Sequence, residues 1–162
     1  MAIREIRVMG DPVLSKRCKE VTEMTDRLKT LVNDMFDTMY DAEGVGLAAP
    51  QVGILKRIVV VDVGDDEPVA LINPRLVSTD GEQTGSEGCL SVPGKVGMVT
   101  RPLYAKVLAF DTDMKPIEVE GNGLKARALV HELEHLDGHL YVEKVEGELR
   151  DVSDFEEEEE EE

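Results

Sequence analysis

The segment "VHELEHLDG" at 130–138 constrains the fold more than any other stretch. Its core, His131-Glu132-Leu133-Glu134-His135, is an H-E-x-x-H pattern. Four residues of α-helix turn about 400° and rise about 6 Å, so the two imidazoles project about 40° apart on one face. A helix therefore lets both rings reach one metal ion, with Glu132 on the adjacent side, close enough to approach a water there. The chain has only three histidines, and two in this register around a glutamate argue for a built site. His139, the third, follows Gly138, where a left-handed cap should end the helix, so it is not expected to be a ligand. The helix is read over 123–137.

Two imidazoles are too few. A catalytic zinc-type site takes three protein ligands and keeps one position open. Downstream the chain offers His139, Glu143 or Glu146. Upstream it offers Cys89, in "EGCLSVPG" at 87–94; the only other cysteine, Cys18, lies far away. A thiolate is a strong ligand for such a metal. A third stretch, "GVGLAAPQVG" at 44–53, has small residues that let another backbone approach closely. It also holds Gln51, a neutral amide able to polarise a carbonyl. Taken alone, it equally suits a tight turn leading into a packed strand.

The rest of the chain sets the frame. Its 162 residues are enough for one compact domain. With no tryptophan and 4% aromatics, the core must rest on aliphatic residues and seven methionines. No apolar run approaches the roughly 20 residues that cross a bilayer. The charged start, "MAIREIRVMGDP", does not read as a signal peptide. Two distant cysteines make no disulfide framework, which points to a reducing, cytoplasmic compartment.

The net charge is −17, but nine acidic residues and no basic one fall in 151–162. The remaining 26 acids and 18 bases leave a body at −8, unlike a nucleic-acid binder with its basic face. The single-sign tail is expected to be disordered. The reading is one folded domain over 1–149 and an acidic tail over 150–162.

Coarse periodicity supplies the other elements. Leu28, Leu31, Val32, Met35 and Met39 fall on one face of a helix over 25–41, with Thr25 as N-cap and a stop before Gly44. "RIVVVDV" at 57–63 reads as a strand, and so does "VALINP" at 69–74, ended by Pro74. "AKVLAFD" and "PIEVE" flank "TDMK" as a hairpin over 105–120. Strands with hairpin spacing between two helices predict an α+β fold.

"GVGLAAPQ", "EGCLS" and "HELEH", in this order and spacing, resemble the three signature motifs of the peptide deformylases. The resemblance runs over about 3–145. It implies antiparallel or mixed sheets packed around a central helix that bears H-E-x-x-H. It implies Cys89, His131 and His135 as metal ligands, with water as the fourth, and Glu132 as general acid/base. Gln51 and the backbone N–H of Leu90 would stabilise the developing oxyanion. Val45, Gly46 and Gly88 match positions that pair with substrate backbone as an added strand. Glu87, Arg127, Ala128 and His131 match positions near a methionine pocket.

The implied reaction removes the formyl group from formyl-methionine of nascent chains at the ribosome, in the cytoplasm. The implied metal is Fe²⁺, with Zn²⁺, Ni²⁺ or Co²⁺ able to substitute. The implied state is a monomer with neither nucleic-acid nor membrane partners. The chemistry suits these residues. A divalent metal makes hydroxide available near neutral pH, a carboxylate can relay the proton, and preplaced donors stabilise an oxyanion.

The chain departs from the family's usual residues in places. Val130 stands where glutamine is common, and Glu134 where aspartate is. Glu134 is expected to be an exposed helix charge, because mid-motif positions point away from the metal. The usual substrate-binding arginine after the cysteine motif is missing, which leaves Lys95 or Arg101 as its stand-in. The segment after the motifs is a short acidic tail where many members carry a longer helix.

Overall fold

A computed structural model describes residues 2–152. The glutamate run of the tail lies outside them. Two α-helices and eight strands make up the described chain, with three short 3₁₀ turns. The helix α1, Asp26–Asp41, starts where Thr25 Oγ1 accepts the Leu28 N–H at 3.2 Å. Its apolar stripe buries Leu31, Val32, Met35 and Met39.

The helix α2, Leu124–Leu136, carries the H-E-x-x-H residues. Most of its residues from Ala126 to Leu136 are buried, so it is enclosed on nearly every side. It ends at Asp137 and Gly138. Gly138 has φ +83°, and a Cβ there would stand 2.6 Å from the Ser15 carbonyl oxygen, so only glycine fits the turn.

Strands β1 (Gly46–Ala48), β2 (Ile58–Val61), β3 (Val69–Asp80), β6 (Tyr104–Phe110) and β7 (Pro116–Asn122) form an antiparallel sheet in the order β1-β2-β3-β6-β7. Strands β4 (Gln83–Cys89), β5 (Val92–Arg101) and β8 (Glu146–Asp151) form a second antiparallel sheet in the order β4-β5-β8. The β2 strand is buried on both faces, as its run of Ile and Val requires. Val59 and Val61 pack toward Leu129, Leu133 and Leu136 of α2. Ile58 and Val60 pack toward Leu31, Met35 and Met39 of α1. The larger sheet is thus held between the two helices. The smaller sheet packs Val92 and Val99 on Tyr141, which anchors Cys89 at its end.

Two expectations change. The strand read as ending at Pro74 runs on to Asp80. A register shift between Ile72 and Arg75, with Asn73 at φ +51°, places Pro74 in a bulge, where its missing N–H breaks no ladder bond. The Asn73 side chain secures the bulge, accepting from the Val21 N–H and donating to its carbonyl, both at 2.8 Å. At the other end, Leu149 sits inside β8, which continues to Asp151.

Candidate active site

Helix α2 sets His131 and His135 one turn apart, with their Nε2 atoms 3.2 Å from each other. The Cys89 Sγ lies 3.4 Å from His135 Nε2. Cys89 is the last residue of β4, and the ladder slips between Glu87 and Cys89, which turns the thiol toward the helix. The three donor atoms lie within 4.8 Å of one another.

A tetrahedral centre with ordinary metal–nitrogen and metal–sulfur bonds would separate such atoms by about 3.3–3.6 Å. These side chains therefore suit a borderline-soft divalent ion. No other cluster among the described residues brings three such groups together. His139 pairs with Glu143 at 3.0 Å, with both side chains exposed, and Glu146 accepts from Thr100 Oγ1 at 2.8 Å. The downstream candidates for a third ligand therefore point elsewhere.

The cluster is oriented from behind. The Glu87 carboxylate accepts from His131 Nδ1 at 2.7 Å, from Arg127 Nη1 at 3.0 Å, and from Arg101 Nε and Nη2 at 3.1 and 2.7 Å. Burial opposes ionisation of Glu87, yet His131 and Arg101 outweigh it and hold the carboxyl down at about 2. An ionised Glu87 only accepts, so Nδ1 of His131 carries a proton and Nε2 is the nitrogen left to face a metal. Tyr141 packs on the far side of the His131 ring, centroid to centroid 5.9 Å.

Glu132 is buried, and its Oε1 has no hydrogen-bond partner. Desolvation pushes its carboxyl up to about 7, against the pull of His131. Oε1 lies 3.8 Å from His135 Nε2. Gln51 is also buried. Its Oε1 accepts the Ala48 N–H at 2.9 Å, and its Nε2 donates to Ser91 Oγ at 3.0 Å, 3.6 Å from Cys89 Sγ. The Ser91 N–H in turn lies 3.4 Å from Cys89 Sγ.

Cys89, His131, Glu132, Gln51 and Glu87 floor a cleft of about 520 Å³. Its walls include Gly44, Val45, Gly46, Gln51, Glu87, Gly88, Leu90, Arg127, Ala128, His131 and Glu132, with Leu124 and Val152 at its margin. His135 alone of the anticipated site residues does not line it and sits behind the other ligands. Strand β1 is the outer strand of one sheet and β4 the outer strand of the other, and residues of both line the cleft. Leu90 packs its side chain where a Cβ on Gly44 would stand, 2.8 Å from Cδ1, so the first glycine of "GVG" makes room for it.

Two readings of charge are corrected. Glu134 is not an exposed charge: its Oε1 accepts from Arg101 Nη1 at 2.5 Å and its Oε2 from Lys144 Nζ at 2.6 Å. Arg101 cannot greet substrate, because its side chain is 1% exposed and committed to Glu87 and Glu134. Lys95 does line the cleft, where it pairs with Asp151. Ser91 and Tyr141 were missed, since a serine beside the cysteine motif and a lone tyrosine carry no pattern of their own.

Fold and site define a class: an α+β protein whose helix-borne H-E-x-x-H pair is joined by a cysteine from a sheet edge. Comparison with known proteins narrows it. The family model described as Polypeptide deformylase matches residues 3–151. The peptide deformylase of Lachnoclostridium phytofermentans is 64% identical over 163 aligned residues, covering 99% of this chain and 100% of that one. That of Agathobacter rectalis is 65% identical over 153, covering 94% and 96%. The crystal structure of a peptide deformylase from Legionella pneumophila superposes with a TM-score of 0.86 at 46% identity, covering 90% of this chain and 87% of that one. The chain belongs to the peptide deformylase family and is an enzyme.

Proposed function

We propose that this enzyme removes the N-terminal formyl group from formyl-methionine of newly made polypeptides, using a divalent metal held by Cys89, His131 and His135. The observation that carries the reading is the convergence of those three donor atoms beside the buried Glu132 carboxylate, whose Oε1 has no hydrogen-bond partner. In this reading α2 is the central helix, with its motif turned inward under both sheets. When bound, the metal lowers the pKa of water and polarises the formyl oxygen. Fe²⁺ is the ion in the cell, with Zn²⁺, Ni²⁺ or Co²⁺ as substitutes.

The protein's own groups do the rest. The peptide lies extended between the edges of β1 and β4, hydrogen-bonded to the backbone at Val45, Gly46 and Gly88, as an added strand would be. Its methionine side chain lies over Ala128, close to Glu87, Arg127 and His131. Glu132, held near neutrality by burial, takes a proton from water and delivers it to the leaving amine nitrogen. Gln51 Nε2 and the Leu90 N–H donate to the carbonyl oxygen as negative charge develops there, and each such donor is worth about 10²–10³ in rate.

The substrates are chains emerging from the ribosome in the cytoplasm, and the enzyme works as a monomer, without nucleic-acid or membrane partners. No described helix is long and apolar enough to cross a membrane. The test is formate release from a formyl-Met peptide by enzyme loaded anaerobically with Fe²⁺, Co²⁺ or Ni²⁺. Turnover supports the reading, and its absence with all three ions removes it.

A further inference from the structure

We propose that Glu134, the second variable residue of the helix motif, is a positioning residue that acts on His131 through Arg101 and Glu87. The inference rests on the reading of Cys89, His131 and His135 as metal ligands. Arg101 presents one edge of its guanidinium, Nε and Nη2, to both oxygens of Glu87, and gives its remaining Nη1 to Glu134. A guanidinium is planar, so the Glu134 contact sets the plane in which Arg101 grips Glu87. Glu87 in turn offers Oε2 to His131 Nδ1. The relay is thus three hydrogen-bonded steps long and starts on the same helix that bears the ligands.

Charge gives the second reason. Two buried guanidiniums, Arg101 and Arg127, face Glu87. With Glu134 present, two carboxylates answer them, and Lys144 holds the outer oxygen of Glu134. Without the Glu134 charge, Glu87 is the sole counter-ion of both arginines among the described residues. Its electron density is drawn toward them, and the His131 N–H faces a weaker acceptor. Outer partners of this type raise ligand basicity and commonly alter metal affinity 10–100-fold. The glutamate is also one methylene longer than the aspartate common in the family, a reach that meets both Arg101 and Lys144.

The experiment uses the full chain loaded with Zn²⁺. Chelator competition gives the metal affinity, and proton NMR follows the His131 Nδ1–H resonance. Glu134→Gln should lower Zn²⁺ affinity about tenfold, the lower end of the outer-partner range, and shift that resonance upfield. Glu134→Asp, which keeps the charge, should recover most of both. Glu143→Gln removes a charge from an exposed pair outside the site and should change neither. Arg101→Lys keeps the charge but loses the fork, and should weaken Zn²⁺ binding and move the same resonance. That variant serves if Glu134→Gln does not fold. Wild-type affinity and an unmoved resonance in Glu134→Gln, or in Arg101→Lys where that variant stands in, overturn the proposal. A loss of melting temperature alone, or equal behaviour of Glu134→Asp and Glu134→Gln, does so too. If the wild-type chain binds no Zn²⁺, the metal reading itself fails, a result distinct from equal binding by wild type and variant.

Discussion

The Glu132 carboxylate rests on Gly46: a Cβ at that glycine would stand 2.6 Å from Oε2 and 2.8 Å from Cγ. Glu132, the proposed acid/base group on α2, and the edge strand of the larger sheet are therefore in direct contact, and the contact exists because residue 46 has no side chain. Gly46→Ala should push the carboxylate aside while leaving the ligands in place. A displacement of about 1 Å at a reacting group costs on the order of 10² in rate. Formate release should fall by about that factor with metal content unchanged. Near-wild-type turnover would mean Glu132 does not work from this position.

Glu132→Gln should keep its metal and lose turnover by about 10²–10⁴, the range for a positioned general acid/base. The measurement pairs metal analysis with single-turnover kinetics. Loss of metal together with activity would instead make Glu132 a structural residue of the cluster.

Cys89→Ser should abolish stable metal binding, since no other described group is placed to complete the set of His131 and His135. Metal per chain after gel filtration checks this. A full complement of metal in the variant would bring back a ligand from the segment after the helix.

Glu87 makes a pH prediction for the metal-free protein. Its carboxyl is held at about 2 in the fold against an ordinary value of 4.5, because His131 and Arg101 outweigh burial. A depressed acid stabilises the fold fully above its unfolded value and loses that contribution as pH falls toward the folded one. The window is therefore between about 4.5 and 2, and the contribution is on the order of 3 kcal/mol. Urea unfolding of wild type and Glu87→Gln should show a stability gap that narrows as pH falls through that window. A gap that stays constant to pH 2.5 would contradict it.

Local signals carried the elements that are local by nature. Thr25 with the Leu31, Val32, Met35 and Met39 stripe was enough for α1, and the β-branched run "IVVV" was enough for β2. H-E-x-x-H was enough for α2, because i and i+4 ligands require a helix whatever packs around it. Strands β4, β5 and β8 escaped, since "QTGSEGC", "VPGKVGMVTR" and "EGELRD" have little strand character of their own. β4 and β5 are strands because they pair with each other, Glu87 opposite Gly97, and β8 because Arg150 finds Val96 far back along the chain. Pro74 was read as a stop for the same reason: a bulge held by Asn73 and Val21 joins residues 52 positions apart.

The site divides along the same line. Residue types and spacing pointed to His131, Glu132 and His135 and left Cys89 as one of several candidates for a third ligand; the resemblance of three motifs taken together singled out Cys89 and Gln51. They could not say which charges are buried. Arg101 and Glu134 look like solvent-facing residues in one dimension, and only the packing of β5 against α2 buries Arg101, partly covers Glu134 and links it through Arg101 to Glu87 behind His131. Burial depends on what the rest of the chain brings alongside, and that is a property of the assembled sheets and helix rather than of any short stretch.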